Sequence, residues 1–256
     1  MTLVFKYGGH ALPQAGTVDP TITYLASLIK SGTKVILVHG GGPQINTELE
    51  VHGIESEMVN GFRKTTPEVF SIVQRTLSGE VLRNIVNQFI RAGINAVGLS
   101  AGDGGLVRGI QKDLALGLVG VVDHVDPSIV ISLLNQGFTP VISPIGVDVK
   151  GQGLNMNADL VAGAIGGALK SECVYFSTDV SGIYRSWPDK TTLIDSINSK
   201  DLQEISKNFK EGMIPKAQAV LNAINSGAKS ARIFDGREAA NVELAIAGSI
   251  GTLVMP

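Results

Sequence analysis

Two lysines stand beside glycines near opposite ends of a 256-residue chain: Lys6, which opens Lys6-Tyr7-Gly8-Gly9, and Lys216, which closes Gly212-Met213-Ile214-Pro215-Lys216. A third glycine run, His39-Gly40-Gly41-Gly42-Pro43, follows the apolar stretch Val35 to Val38. Backbone N–H groups unobstructed by side chains approach a phosphate or carboxylate closely, and a helix that starts there adds the positive end of its dipole. Cations beside such donors suit a transferring phosphoryl group, whose charge must be neutralised without any protein nucleophile. Arg63, Asn155, Asn157, Asp159 and Asp179 occupy other loops and helix starts and complete the set of residues able to do this chemistry.

Each has an ordinary alternative. Lys6 and Arg63 could be solvated charges at a strand end and a hairpin. Asp159 could be a carboxylate favoured by a helix dipole, and Asn155 and Asn157 could be turn formers. Lys216 could equally be a surface residue in a helix's first turn, but cations are disfavoured there, so its place calls for an explanation. Asp103 lies between glycines and reads as a turn residue, outside the site.

Other chemistries are poorly supported. The chain has no Gly-x-x-x-x-Gly-Lys-Ser/Thr phosphate loop, no Gly-x-Gly-x-x-Gly fingerprint and no Gly-x-Ser-x-Gly elbow. One cysteine and four scattered histidines give no metal-ligand spacing, so no protein metal site is expected. A net charge of −2 without a basic run argues against nucleic acid or an anionic membrane surface as partner. The N-terminus lacks the form of a signal peptide and no apolar run is long enough to span a bilayer, so a cytoplasmic protein is expected.

Positioning these residues requires strand ends. Leu3 to Phe5, Lys34 to Val38, Ile94 to Leu99, Thr139 to Ser143 and Glu172 to Ser177 read as strands, with Leu118 to Val122 β-prone and Arg232 to Phe234 and Thr252 to Met255 closing the chain. Asp19-Pro20 starts a helix to about Lys30 that Gly32 stops, and the first strand–helix–strand unit therefore crosses over right-handedly to a parallel pair. Lys6 and His39 should then share the carboxyl edge, where open α/β sheets bind ligands. Further helices run from Pro43 to about His52, from a Thr65/Glu68 capping box to Ala92 with a kink at Ser78-Gly79, from Asp126-Pro127 to about Asn135, over Leu160 to Leu169, from Lys216 to near Gly227, and over about Asn241 to Ala247. Ile54 to Lys64 reads as a hairpin or flap turning at Asn60-Gly61, and Ser186 to Phe209 is polar without a clear period. Many glycine loops and few aromatics suit an α/β enzyme of two lobes, with a boundary near Ser171.

Taken in order, the motifs resemble the amino-acid kinase family, and within it the branch acting on N-acetyl-L-glutamate in arginine biosynthesis. The likeness rests on Lys6-Tyr7-Gly8-Gly9, His39-Gly40-Gly41-Gly42-Pro43, Asn60-Gly61-Phe62-Arg63, Val97-Gly98-Leu99 with Gly102-Asp103-Gly104, Asn155-Met156-Asn157-Ala158-Asp159, Asp179-Val180-Ser181-Gly182-Ile183 and Gly212-Met213-Ile214-Pro215-Lys216. It implies a three-layer αβα sandwich around an open, mostly parallel sheet. Residues 1–171 would bind the acylated amino acid and form a homodimer, and residues 172–256 would bind ATP with Mg²⁺. By the same likeness Lys6 and Lys216 stabilise γ-phosphoryl transfer, Asp159 orients both, and Gly8 and Gly41 donate backbone hydrogen bonds. Arg63, Asn155, Asn157, Gly41 and Gly42 would hold the substrate, and Gly8, Gly9 and Asp179, Val180, Ser181, Gly182, Ile183 and Tyr184 would line the nucleotide site with the two lysines. The reaction implied is attack of the side-chain carboxylate of N-acetyl-L-glutamate on the γ-phosphorus, giving N-acetyl-L-glutamyl 5-phosphate and ADP. The chain opens directly on its first strand, from which an arginine-insensitive homodimer is expected. His10-Ala11-Leu12 and Phe62 depart from the common pattern and leave the acyl chain open. A kinase of an N-acyl aminoadipate, or a sensor that binds amino acid or nucleotide without catalysis, are the alternatives.

Overall fold

Strand β1 (Thr2–Tyr7) and its neighbour β2 (Lys34–His39) pair in parallel from Thr2 opposite Lys34 to Tyr7 opposite His39, so both strands end at one edge. The computed structural model describes residues 1–8, 18–59, 61–209 and 213–256. Gly9, His10-Ala11-Leu12, Asn60 and Gly212 lie outside the described residues. Along the chain, helix α1 (Pro20–Lys30) joins β1 to β2, and α2 (Gly42–Val51) precedes a two-stranded antiparallel flap of β3 (Met58–Val59) and β4 (Phe62–Arg63). Then come α3 (Pro67–Gln74), a π-helical turn over Arg75–Val81, α4 (Leu82–Arg91), β5 (Ala96–Ser100), β6 (Val107–Gln111), β7 (Val119–Val125), α5 (Ser128–Asn135), β8 (Thr139–Ser143), β9 (Ile145–Val147), β10 (Gly153–Met156) and α6 (Ala158–Ala168). The remainder is β11 (Cys173–Thr178), β12 (Ser196–Asn198), α7 (Ser199–Ser206), α8 (Ile214–Asn225), β13 (Ala231–Asp235), α9 (Ala239–Ile246) and β14 (Thr252–Met255).

Eight strands form one sheet in the order β12-β14-β13-β11-β1-β2-β8-β5, with only the β13–β14 pair antiparallel. Alternation sorts the side chains into two cores, as the period of two requires. Val4, Ile36, Val38, Val174 and Phe176 face α5, α6 and α8, through residues such as Val130, Val161 and Val220. Leu3, Phe5, Leu37, Val141, Tyr175 and Phe234 face α1, α4 and α9, through Leu25, Phe89 and Val242. The expected three-layer sandwich is therefore present, and β11 pairs with β1 across the Ser171 boundary, so one sheet runs through both halves.

Local chemistry explains most boundaries. Asp19 caps α1, its side chain accepting from Thr21 N and Ile22 N, with Pro20 in the first turn. The cap of α3 is Thr66, which accepts from Val69 N, rather than Thr65. The hydroxyl of Thr65 instead donates to Arg63 O and accepts from Asn155. The kink expected at Ser78-Gly79 is the π-helical turn, where one extra residue widens the helix without breaking it.

A small closed barrel of β10-β7-β6-β9 was not expected beyond its β7 strand. Met156 lies against its glycines: a β-carbon at Gly109 or Gly146 would collide with the Met156 side chain, and one at Gly120 would meet Leu154 first, at 2.8 Å.

Helix α6 approaches its neighbours through Gly163, Gly166 and Gly167. A β-carbon on Gly167 would lie 2.6 Å from the Ser226 carbonyl carbon, backbone that cannot turn aside. Alanine favours a helix interior over glycine by about 1 kcal/mol, but overpacking costs about 1–3 kcal/mol. Overpacking against backbone should prevail: Gly167→Ala is expected to lower stability by ~1–2 kcal/mol, read from the urea midpoint, and an unchanged or raised midpoint would refute this close packing.

Candidate functional site

The carboxyl edge of the sheet gathers the lysines. Lys6 Nζ lies 2.8 Å from Asp159 Oδ1 and donates to the Ser177 carbonyl at 3.3 Å. Lys216 Nζ lies 3.1 Å from Asp179 Oδ1, just past the end of β11. The anchors of the two lysines, Ser177 and Asp179, thus belong to the same strand end. The Lys6 and Lys216 side chains are only 13% and 19% exposed, which separates them from solvated surface lysines. Asp159, expected to orient both lysines, stands against Lys6 alone; Lys216 stands instead against Asp179, which the sequence placed at the nucleotide site and not as a lysine partner. Burial works to raise the Asp179 carboxyl, and the Lys216 ammonium with the Thr178 hydroxyl outweighs it, holding the group below its ordinary range.

Backbone geometry keeps the glycines close to this edge. Gly8 lies against the Ser177 carbonyl and Lys6 Nζ, where a β-carbon would come within 3.1 Å and 3.7 Å. Gly41 is packed on Leu77, whereas Gly42 faces open space. Asp159 stands in the first turn of α6, where the cap residue Asn157 accepts from Asp159 N at 2.8 Å and Leu160 N at 3.2 Å. One amide therefore fixes the turn that carries the Lys6 partner.

A pocket of about 180 Å³ opens beside this edge, lined by Gly41, Gly42, Arg63, Asn155 and Asn157 with apolar Ile45, Leu77, Val119 and Met156. Its five polar or glycine lining residues named here are those chosen from sequence for substrate. The volume lies below the roughly 300–1,000 Å³ of sites for drug-sized ligands and suits a smaller molecule. Arg63 Nη1 donates to Ser56 Oγ at 2.9 Å and Nη2 to Asn46 Oδ1 at 2.5 Å, while burial pulls the guanidinium below its ordinary range. Asn155 Nδ2 donates to Thr65 Oγ1 at 3.0 Å, and that hydroxyl donates to the Arg63 carbonyl at 2.6 Å. Asn46 and Ser56 were not singled out from sequence and Thr65 was read only as a cap; Asn46 and Ser56 reach Arg63 from 17 and 7 positions before it, and the Thr65 hydroxyl meets Asn155 from 90 positions away.

The stretch Asp179 to Tyr184 divides. Asp179 and Ser181 are exposed at the strand end and Val180 is half-buried. Gly182 lies against Thr252, whose hydroxyl accepts from Ile183 N at 2.8 Å. Ile183 and Tyr184, expected to line the nucleotide site, have their side chains in the core instead.

His39 is fully buried at the end of β2, and its Nδ1 lies 2.8 Å from the Gly40 carbonyl, which can only accept. Nδ1 therefore carries the proton, and Nε2 has no hydrogen-bond partner. Burial lowers the ring to about 4 from an ordinary 6.5. A depressed folded value leaves stability intact above pH 6.5 and removes it as the unfolded chain alone takes up a proton. Between pH 7 and 5 this contributes a loss of about 2 kcal/mol. His39→Asn, which keeps a donor for Gly40 but cannot titrate, is expected to lose that much less over the same interval in urea unfolding; an equal loss in both proteins would contradict it.

An open α/β sheet with buried lysines, glycine turns and a small pocket at its carboxyl edge defines a class of small-molecule enzyme that handles anionic groups. A family model described as the amino acid kinase family matches residues 1–235, and the chain belongs to that family. Acetylglutamate kinase of Corynebacterium jeikeium (strain K411) is 38% identical over 99% of this chain and 83% of its own length. Acetylglutamate kinase of Archaeoglobus fulgidus is 39% identical over 100% of this chain and 93% of its own. Among solved structures, smu.665 from Streptococcus mutans UA159 superposes with a TM-score of 0.82 at 24% identity, covering 99% of this chain and 98% of that one, and shares the fold.

Proposed function

We propose that this chain is an ATP-dependent kinase that phosphorylates the side-chain carboxylate of N-acetyl-L-glutamate, giving N-acetyl-L-glutamyl 5-phosphate and ADP in arginine biosynthesis. The observation that carries this reading is the anchoring of two largely buried lysines at one strand end beside a small pocket that holds Arg63. Full-length similarity to acetylglutamate kinases at 38–39% identity supports the substrate.

On this reading Arg63 grips the α-carboxylate through paired hydrogen bonds. Asn155 and Asn157, with the backbone of Gly41 and Gly42, hold the remainder. The side-chain carboxylate attacks the γ-phosphorus in line and needs no general base. Lys6, Lys216 and N–H groups of Gly8 and Gly41 take up the charge that spreads over the transferring group, and Asp159 and Asp179 hold the lysines for it. Gly9 and the backbone from Asp179 to Tyr184 complete the nucleotide site. Mg²⁺ would arrive with the nucleotide and would supply neutralisation of phosphate charge. Asp159 and Asp179 are the carboxylates standing at the lysines, able to meet that ion's waters. Residues 1–171 serve the acyl amino acid and the dimer contact, residues 172–256 serve ATP, and the enzyme works as a cytoplasmic homodimer.

Incubation with MgATP, N-acetyl-L-glutamate and hydroxylamine is expected to trap the acyl phosphate as a hydroxamate. An N-acyl aminoadipate, one methylene longer, should react about 10–200-fold less efficiently, the range a hydrophobic pocket imposes for one methylene. No hydroxamate from either acid, or faster turnover of the longer one, would overturn the assignment.

A further inference from the structure

Tyr7 follows Lys6 directly and faces the opposite side of the sheet, where its phenol is buried and donates to Asp19 Oδ2 at 2.6 Å. The two residues are twelve positions apart, with Gly8 and Gly9 between them. Asp19 is itself held on three further sides. Its Oδ1 accepts from Thr21 N at 2.8 Å and Ile22 N at 3.3 Å, and its own N–H donates to Gln88 Oε1 of α4 at 2.8 Å. At its other end, the Tyr7 carbonyl accepts from Gly40 N at 2.9 Å, which ties it to the second glycine turn. The ring packs beside Phe5 in the α1/α4 core. One side chain thus joins the start of α1 and, through Asp19, α4 to the strand end that presents Lys6 and Gly8.

We propose that Tyr7 is a positioning residue for phosphoryl transfer. Its hydroxyl, clasped by Asp19, fixes the end of β1, so that Lys6 and the Gly8 N–H meet the nucleotide phosphates in one geometry. The inference rests on the kinase reading above and extends it to a residue that touches no reactant. The core would accept a phenylalanine ring in the same space, since the ring already packs beside Phe5. A short hydrogen bond to a buried carboxylate is a strong constraint, because breaking it leaves Asp19 short of a partner in a site that water cannot enter freely.

Tyr7→Phe deletes the hydroxyl and keeps the ring. It is expected to lower kcat/KM for MgATP about tenfold, to weaken AMP-PNP binding measured by calorimetry about fivefold through the displaced Gly8 N–H, which on this reading holds the ground-state phosphates where Lys6 does not, and to leave KM for N-acetyl-L-glutamate within twofold of the parent. Asp19→Asn keeps the cap through its one amide oxygen and turns an NH2 donor to the phenol, whose oxygen can accept, so the clasp survives with its direction reversed and all three should stay within threefold of the parent. Tyr7→Phe that melts at a lower temperature with unchanged kcat/KM and AMP-PNP affinity, or that raises KM for the acyl amino acid as much as for ATP, would overturn the proposal. If the parent makes no hydroxamate, the kinase reading fails, while the calorimetric comparison of parent with Tyr7→Phe still decides for or against the clasp.

Discussion

Alanine at Lys6 lowers kcat by about 10²–10³-fold while MgATP binding changes by less than about threefold. The magnitude is that of removing one preorganised donor aimed at charge that develops in the transition state. On the proposed reading Mg²⁺ and Lys216 would neutralise the ground-state nucleotide, so the Lys6 charge would matter most as the phosphoryl group leaves ADP. Removal also leaves Asp159 without the ammonium 2.8 Å away, and its carboxylate then faces the phosphates. Asp159→Asn added to Lys6→Ala should therefore cost less than the two single losses summed, since the pair acts as a unit. Steady-state kinetics with a separate nucleotide titration separate the two effects, and equal loss of turnover and nucleotide affinity would place Lys6 elsewhere in the cycle.

Arg63→Ala is expected to raise KM for N-acetyl-L-glutamate about 100-fold, roughly 2.7 kcal/mol, with kcat within about fivefold of the parent. The guanidinium is presented by a two-stranded flap and held by Ser56 and Asn46 at the mouth of the small pocket. These contacts leave donors for a carboxylate and remove the entropy cost of finding the right rotamer on binding. Lys at this position should recover little of the loss, because an ammonium lacks the planar fork. A variant that loses turnover at saturating acid, with KM unchanged, would put Arg63 in the transition state rather than in substrate capture.

The frame was legible because burial and punctuation agree. Apolar runs such as Val35 to Val38 and Val174 to Phe176 have few places to go except the middle of a sheet, and Asp19-Pro20 and Gly137 mark helix ends by backbone chemistry alone. The shared edge for Lys6 and His39 followed from the handedness of one crossover, and the register of Tyr7 with His39 places it there. The barrel was not legible, since glycines at 109, 120 and 146 make room for Met156 and Leu154 and so erase the alternation that would mark strands. Strand β12 and helix α7 lie inside a polar stretch where a single buried residue in each, Ile197 and Leu202, sets the packing. Thr65 was read as a cap because its spacing to Glu68 matches a capping box; Thr66, one residue on, has the extended backbone and the accepted bond.

Within the site, residue types and motif order indicated which side chains matter, and the contacts between them came only with the fold. Nothing in the spacing links Lys216 to Asp179 or Arg63 to Asn46, because those pairs form where distant segments meet at the sheet edge and over the pocket.

A crystal structure with ADP, Mg²⁺, aluminium fluoride and N-acetyl-L-glutamate measures most directly whether one phosphoryl group is held by both lysines. Convergence requires Lys6 Nζ and Lys216 Nζ each within about 3.2 Å of the fluorides that stand for the transferring oxygens, with the side-chain carboxylate in line with the ADP oxygen. Either ammonium directed into a separate cavity in that complex would contradict it.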